Sequence, residues 1–547
     1  MLTDLQKAQR NFWLNTPWQS RVQRGWFRFC AICLTLYLVY TTYLSQSAIF
    51  TGTAETIGAC LWSLFYALGL YALLLFGCRR LCKKTLKANA ERKKMSGKVF
   101  AISVLLSLLV LGCAFLACYP GGVSYDASNQ WHQAQTGEFN AWHSLFHTLL
   151  IWLITCISNN YSFAIAIQIL AFTAAMGYLT AVLHKHGVPA WLLLCVQAVV
   201  LLTPLVQSTL MTLGKDSAMA IGALVLTAHA VHMLYSGGKW LQSPLNAICF
   251  GLMLSFTTLM RHNAILFTVP LLACAWLCYR KYWRGAALSA GVLLLCITLI
   301  QGPLFGALDV VYPSNTLEES IGLPMTIMGN TKQKNPEALD DETRSFLSDL
   351  ATDEAWQNIY QTDQYNAIKF TFDRELIAFT PPEKLLRMTL HTIASDPRTA
   401  FEAVNGVTDL VWGVTGKNES DAQVHNSGDI EEARYGSAKL NALGKALSAL
   451  LNAPMAFAPL RWLCQNIGAQ MLLLLLVTLW ALYQNGVPAL CMAIPSLVYN
   501  LGTMLLLCGN DARFFQFFMA ICLPSVLALL YLPSGEAVKS ASLSCRC

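Results

Sequence analysis

The residues of this chain that could do chemistry are few, and they fall in short polar clusters. Tyr119 to His147 reads YPGGVSYDASNQWHQAQTGEFNAWHSLFH and carries Asp126, Gln130, Trp131, Trp142, His143 and His147. Lys215 adjoins Asp216 in LGKDSAMA, Arg261, His262 and Asn263 run together in LMRHNAI, and Asp511 and Arg513 flank one alanine in GNDARFF. A carboxylate such as Asp126 can take the proton of an alcohol or amine as that group attacks an anomeric carbon. The developing charge then passes to a leaving phosphate, for which cationic partners suffice. In a helix, Asp126, Gln130 and Gln133 share one face.

Each cluster also has a plainer reading. Asp126 suits a helix N-cap in Tyr125-Asp126-Ala127-Ser128. Trp131 and Trp142 either mark the aromatic belt of a membrane interface or stack on a sugar. His143 and His147 stand one helical turn apart, the spacing of a metal pair, but no HExxH accompanies them; contacts to a phosphate or substrate are the other option. Lys215-Asp216 is either an ion pair closing the start of an apolar helix or a phosphate ligand with Asp216 orienting it or the acceptor. Arg261-His262-Asn263 sits between two short apolar helices, where a tight hairpin needs polar residues; it equally supplies donors for a phosphate or pyrophosphate. Asp511 and Arg513 precede the last apolar run, as a salt-bridged helix start or as part of the same site.

The elements that must position these groups are membrane-spanning. Of 547 residues, 55% are hydrophobic and 12% charged, with mean hydropathy +0.47, against about 25% charged in soluble proteins. Apolar runs recur at the roughly 17–25 residues a helix needs to cross the hydrocarbon core, and the strand alternation of an outer-membrane barrel is absent. The expected class is an all-α polytopic membrane protein of about 12–13 transmembrane helices with a mainly helical insert. A basic leader (1–28) lacks an early apolar stretch, so no cleavable signal is expected. Spans are expected at about Phe29 to Leu44, Ile57 to Cys78 and Phe100 to Cys118. Others follow at Tyr161 to Leu183, Pro189 to Leu210, Ser217 to Leu234, Leu245 to Leu259, Ala264 to Tyr279 and Ala286 to Gln301, and then at Ala469 to Tyr483, Val487 to Cys508 and Phe514 to Leu532. The chain divides into an N-terminal transmembrane module (29–304) with its outer loop 119–147, the insert (305–460), C-terminal spans (461–534) and a tail (535–547).

Charge orients these spans. The insert from Gly306 to Leu460 holds 22 of the 30 acidic residues and 12 of the 37 basic ones. Arg79 to Lys98, dense in Lys and Arg, reads as a cytoplasmic loop rather than a nucleic-acid patch. With His184 to His186, Lys239, Arg280, Lys281 and Arg284 on the same side, the polypeptide crosses 12 times and the acidic insert lies outside. Leu145 to Ile157 is then a juxtamembrane or re-entrant helix; if it crosses, everything downstream inverts. Outside the insert and both tails the carboxylates are Glu55, Glu91, Asp126, Glu138, Asp216 and Asp511. All but Glu91 fall at outer span ends, where charges are costly unless they serve a site, so Asp126, Asp216 and Asp511 point to one polar pocket. All 19 cysteines lie outside the insert, with none between Cys296 and Cys464; a thiol-free domain fits an oxidising side, or reflects the preference of Cys for apolar helices. Within the insert, helices are expected over Pro336 to Tyr360, Pro381 to Ala394 and Asp396 to Val414, each opened by Pro or acidic residues. Thr415 to Gly436 reads as a loop.

The ordered motifs resemble the GT-C class of polytopic glycosyltransferases, the group of protein O-mannosyltransferases and lipid A aminoarabinose transferase, and more closely a bacterial branch of that class. Carrying the resemblance are Tyr119-Pro120-Gly121, Asp126, Gln130-Trp131, Trp142-His143, His147, Lys215-Asp216, Arg261-His262-Asn263 and Asp511-Ala512-Arg513, with Ile321 to Asn330 similar to the branch's segment after the spans. It runs from about Tyr119 to Pro524. Three positions depart from the pattern: Ser144 stands where Pro is usual, Ala127 where Ser is usual, and Phe514 where Tyr is usual. The resemblance implies a polyprenyl-phosphate sugar as donor, inversion at the sugar carbon and Asp126 as base, at the periplasmic face of a bacterial inner membrane. Lys215, Arg261 and Arg513 then hold the phosphate, while Asp216, His143 and His147 orient substrate or a divalent metal ion, a requirement left open. The acceptor is a cell-envelope glycan, lipid or protein, gated by the insert; no nucleic acid is expected. Two rivals stand beside it: an O-antigen polymerase or ligase with a glycan-pyrophosphate donor, and a lipid-glycan flippase, which calls for mid-span carboxylates and paired repeats.

Overall fold

The computed structural model describes residues 21–40, 95–122, 124–312, 321–362, 365–414, 442–507 and 511–533, with isolated positions at 61–72 and 319. Most of the leader, the expected span Ile57 to Cys78, most of the basic loop Arg79 to Lys98, Glu55, Glu91, the loop Thr415 to Gly436 and the tail lie outside these residues. The described chain is helical, without named strands, as the apolar composition demands: backbone groups in lipid must be satisfied within the segment.

The helices are α1 (Arg21–Val39), α2 (Gly97–Cys118), α3 (Tyr125–Thr136), α4 (Leu145–Thr155), α5 (Tyr161–Lys185), α6 (Ala190–Leu202), α7 (Pro204–Leu210), α8 (Lys215–Ser236), α9 (Pro244–Met260), α10 (Ile265–Cys278) and α11 (Trp283–Leu299). The insert contributes α12 (Gly322–Lys334), α13 (Asp341–Leu350), α14 (Asp353–Asn358), α15 (Pro382–Ser395) and α16 (Pro397–Trp412). The chain closes with α17 (Ile467–Asn485), α18 (Ile494–Leu507) and α19 (Gln516–Leu530).

This is an all-α polytopic membrane protein. Among the described residues, six helices are long and apolar enough to cross a membrane, and α6 with α7, bent by 66°, make up to seven. The 12 expected crossings are not reached at that length, for two reasons. Three of the expected spans form Pro244–Met260, His262–Cys278 and Ile494–Leu507, apolar but only 10–17 residues long, and neither of the first two expected spans is among the six, the second lying mostly outside the described residues. The bend between α6 and α7 falls at Pro204, whose ring cannot continue the preceding helix.

Side-chain contacts fix two ends of the bundle. At one end, the start of α5 lies against the end of α2: Ser162 Oγ donates to the Pro120 carbonyl at 2.7 Å and the Tyr161 hydroxyl to the Gly122 carbonyl at 2.7 Å. α5 therefore starts at the end of the bundle where α2 finishes, with α3 and α4 lying between the two in the chain. At the other end, His186 and His232 meet at 3.1 Å, the Tyr235 hydroxyl donates to the Ala528 carbonyl at 2.8 Å, and Cys491 meets Cys278 at 3.5 Å.

The insert has its own core around Met325, Met328, Phe346, Leu347, Trp356, Tyr365 and Ile368. The helix expected over Pro336 to Tyr360 is broken into α13 and α14. Asp340 and Thr352 each accept a backbone N–H of the next turn, so two N-caps stand where one was read. The segment Ile321 to Asn330 forms most of α12, and α15 and α16 follow the Pro-led starts.

Candidate functional site

The Asp126 end of the bundle is built by two loops pinned to α5. The Gly122 N–H donates to the Met211 carbonyl at 2.8 Å, tying loop 119–124 to loop 211–214. The Tyr161 hydroxyl accepts from the Leu213 N–H at 3.3 Å while donating to Gly122. Gln168 donates to the carbonyls of Leu210 and Thr212, both at 3.0 Å, and accepts from the Gly214 N–H at 3.3 Å. Gly121 must be glycine: its φ is +117° and a Cβ there would lie 2.2 Å from Ile165 Cδ1. These clamps set the start of α3 beside the start of α8.

Ser124, not Asp126, caps α3, its hydroxyl accepting from the Ala127 N–H at 3.2 Å. Asp126, released from capping, stands in the first helical turn, where the helix dipole favours a negative charge. Its Oδ2 lies 3.0 Å from Lys215 Nζ and 3.6 Å from Arg513 Nη1, and its Oδ1 lies 3.7 Å from His143 Nε2. Lys215 Nζ also reaches His143 Nδ1 at 3.0 Å. Since an ammonium only donates, Nδ1 is the acceptor, which leaves the imidazole proton on Nε2, facing the carboxylate.

Burial opposes the charge on Asp126, but Lys215, Arg513 and His143, with the hydrogen bond from Lys215, outweigh it and hold the carboxyl far below the usual carboxylate range. Burial, then Lys215, push His143 down to about 4 against the pull of Asp126, so the ring is neutral at pH 7.

A second layer lies behind the first. Arg261 and Asp216 form a buried ion pair, their side chains 7% and 9% exposed. Arg261 Nε donates to Asn263 Oδ1 at 2.9 Å, and Asn263 Nδ2 donates to the Tyr499 hydroxyl at 3.2 Å and to Thr503 Oγ1 at 2.9 Å. The Tyr499 hydroxyl donates in turn to the Phe514 carbonyl at 3.1 Å. The guanidinium groups of Arg261 and Arg513 lie 4.6 and 5.2 Å from the Phe514 ring centre, a cation–π arrangement. Asp511 takes the Arg513 N–H at 3.0 Å and Arg513 Nε at 2.6 Å. The contacts close into a ring: Asp126 to Lys215, its neighbour Asp216 to Arg261, Arg261 to Phe514, and Arg513 back to Asp126.

Exposure grades outward across this ring. Arg513 and Asp511 are 37% and 39% exposed, Asp126 23%, Lys215 14% and His143 11%. The open rim is therefore made by Asp511, Arg513 and Asp126, and His262 is exposed beside the buried Arg261 and Asn263.

Gln130, Trp131 and His147, expected to meet substrate, take internal roles, as the buried Arg261 and Asn263 do. Gln130 donates to the Ser144 carbonyl and to Thr148 Oγ1, both at 3.0 Å, and meets His147 Nδ1 at 3.1 Å. Trp131 is 1% exposed, edge-on to Tyr161 at 5.3 Å. Asp126 facing His143 and Gln130 facing His147 form two rungs with the same four-residue spacing, so α3 reads along the 143–147 segment. His143 and His147 thus go to different partners, and among the described residues no group of three His, Cys, Asp or Glu converges on one point. Ser144 caps α4 and donates to the Leu259 carbonyl, holding the α9 end against the 143–147 segment. Trp142 is 37% exposed.

Tyr161, Gln168, Tyr499 and Thr503 support the site without any signal in the sequence, being uncharged polar residues scattered among others of their kind in apolar helices. No family model, no curated protein and no solved structure matches the chain.

Proposed function

We propose that the protein is a membrane glycosyltransferase, moving a sugar from a polyprenyl-phosphate carrier to a cell-envelope acceptor at the outer face of a bacterial inner membrane. The observation that carries this reading is the meeting of Asp126 with Lys215 and Arg513, from three stretches far apart in sequence, at a partly open end of the bundle. Asp126, Lys215-Asp216, Arg261 and Asp511-Ala512-Arg513, which carry the GT-C resemblance, meet there. Asp126 takes the acceptor proton, Lys215 and Arg513 hold the phosphate, and attack opposite the leaving phosphate inverts the sugar carbon. Arg261 with Asp216 braces the floor from inside. No step is assigned to a divalent ion.

Charge supports this orientation. Lys185, Lys239, Arg280, Lys281 and Arg284 gather at the opposite end, the side that loops rich in Lys and Arg keep in the cytoplasm. A pyrophosphate donor, as in a polymerase or ligase, would call on a third cation, but Arg261 is buried against Asp216, and the two reachable cations match a single phosphate. The acidic insert continues from α11 at the Asp126 end, where the Val311 N–H donates to the Phe139 carbonyl at 3.0 Å, and there it would meet the acceptor.

The test is purified protein in lipid with labelled prenyl-phosphate sugar and, in parallel, prenyl-pyrophosphate sugar. Acceptor-dependent consumption of the monophosphate donor, lost in Asp126→Asn, is the expected result. An inert monophosphate donor beside an active pyrophosphate donor would replace this reading with the polymerase or ligase one.

A further inference from the structure

We infer that the site masks its own base: Lys215 and Arg513 neutralise Asp126 until a lipid-borne phosphate draws them away, so the donor must bind before the acceptor can lose its proton. This rests on the glycosyl-transfer reading above and adds to it a binding order and a built-in guard against wasteful hydrolysis.

The geometry separates the cations into two kinds. Arg261 is buried with a buried partner, so no arriving anion reaches it. Lys215 and Arg513 are reachable, and both address the same oxygen of the proposed base, Asp126 Oδ2, at 3.0 and 3.6 Å. The groups that a phosphate can use are thus the groups that silence the carboxylate. Arg513 is already divided between Asp126 and Asp511, whose Oδ2 lies 2.6 Å from its Nε, so it can turn from one carboxylate while keeping the other.

A carboxylate paired with two cations binds a proton poorly. Once a phosphate takes those cations, Asp126 keeps its partial burial but loses its charge partners, and burial alone raises the proton affinity of an acid. The step then balances. The acceptor oxygen bonds to the anomeric carbon, the bond from that carbon to the phosphate oxygen breaks with its electron pair left on the phosphate, and the acceptor proton moves to Asp126. The donor enters as a phosphodiester of one negative charge and leaves as a monoester with one more, while the carboxylate becomes a neutral acid. Product prenyl phosphate therefore holds Lys215 and Arg513 more firmly than the donor does, and competes with it.

The test uses the full-length protein in detergent and three probes: farnesyl phosphate, inorganic phosphate and uncharged farnesol. Removing the competing carboxylate in Asp126→Asn should tighten farnesyl phosphate binding about tenfold, the effect of one charge pair of roughly 1.4 kcal/mol. Asp126→Ser serves as a second uncharged variant should the first fold poorly. Arg513→Gln should weaken the same probe, farnesol should not respond to any variant, and inorganic phosphate should bind far more weakly than farnesyl phosphate. Unchanged or weaker farnesyl phosphate binding in both Asp126 variants overturns the masking, and inorganic phosphate binding as tightly as farnesyl phosphate overturns the lipid source of the anion. The two proposals fail separately. Wild-type protein that turns over the sugar donor while Asp126→Asn shows no gain in affinity keeps the reaction and loses the masking; the gain without any turnover does the reverse.

Discussion

At the scale of single residues, the site contains a carboxylate, Asp126, that is ionised and a histidine, His143, that is not, and both have consequences in pH. His143 is pushed down to about 4, below the roughly 6.5 it has in an unfolded chain. Between those values the unfolded chain binds a proton that the folded one refuses, so stability is complete above about pH 6.5 and falls as pH drops through the folded value. For His143 alone this is about 2 kcal/mol between pH 6.5 and 5. Thermal unfolding in detergent should show that acid loss, and His143→Gln should flatten it; an equal slope in the variant would place the loss on other groups. Asp126 titrates lower still, so it adds its own loss only in stronger acid. For catalysis, Asp126→Asn is expected to lower kcat at least about 1,000-fold, the scale of a lost general base with its electrostatic partners, while the protein stays folded by circular dichroism.

At the scale of elements, the site depends on how helix starts are locked together, and here the sequence was legible only in part. Asp126, Lys215-Asp216, Arg261 and Asp511-Arg513 stood out because a charge at the end of an apolar helix needs a reason. The residues that aim them did not stand out. Tyr161 and Gln168 are ordinary members of α5 by spacing, and their importance lies in joining loops 119–124 and 211–214, a tertiary fact. Tyr161→Phe strands the Gly122 carbonyl and the Leu213 N–H, at a cost of about 1–3 kcal/mol, and should lower kcat by loosening the angle between α3 and α8; an unchanged melting temperature and kcat would deny the clamp. The N-cap of α3 is Ser124 rather than Asp126: its hydroxyl takes the Ala127 N–H, so the helix starts two residues earlier than a cap at Asp126 would set it. In α8 and α9 the buried pair is tested by a cycle. Asp216→Asn alone leaves Arg261 charged and buried, costing about 3–5 kcal/mol, whereas Asp216→Leu with Arg261→Met removes both charges and should recover most of that. Failure of the double variant to recover would mean that Arg261 does more in the site than brace it.

At the scale of the molecule, the length of apolar runs and the sign of the loops gave an all-helical bundle with its rare charges gathered at one end, and the contacts of Asp126, Lys215, Arg261 and Arg513 place them in one ring. The number of crossings was harder to read, since segments such as α9, α10 and α18, apolar enough to read as spans, form helices of only 10–17 residues, and a bent pair such as α6 with α7 looks like one straight span. What the bundle alone does not orient is the membrane, and that yields the remaining prediction. If the cationic end is cytoplasmic, single cysteines placed at Glu138 and Asp309, in a background without other reactive cysteines, should react with an impermeant maleimide from outside intact cells. Cysteines at Lys239 and Arg284 should react only after the membrane is opened. The two pairs must in any case differ from each other, because helix contacts fix them at opposite ends; labelling of Lys239 and Arg284 positions from outside would turn the whole bundle over and with it the donor. A polyprenyl carrier would then present its sugar to the cytoplasm, where soluble nucleotide sugars are the usual source of activated sugar, and the case for a lipid-phosphate donor at Asp126 would fall together with the orientation.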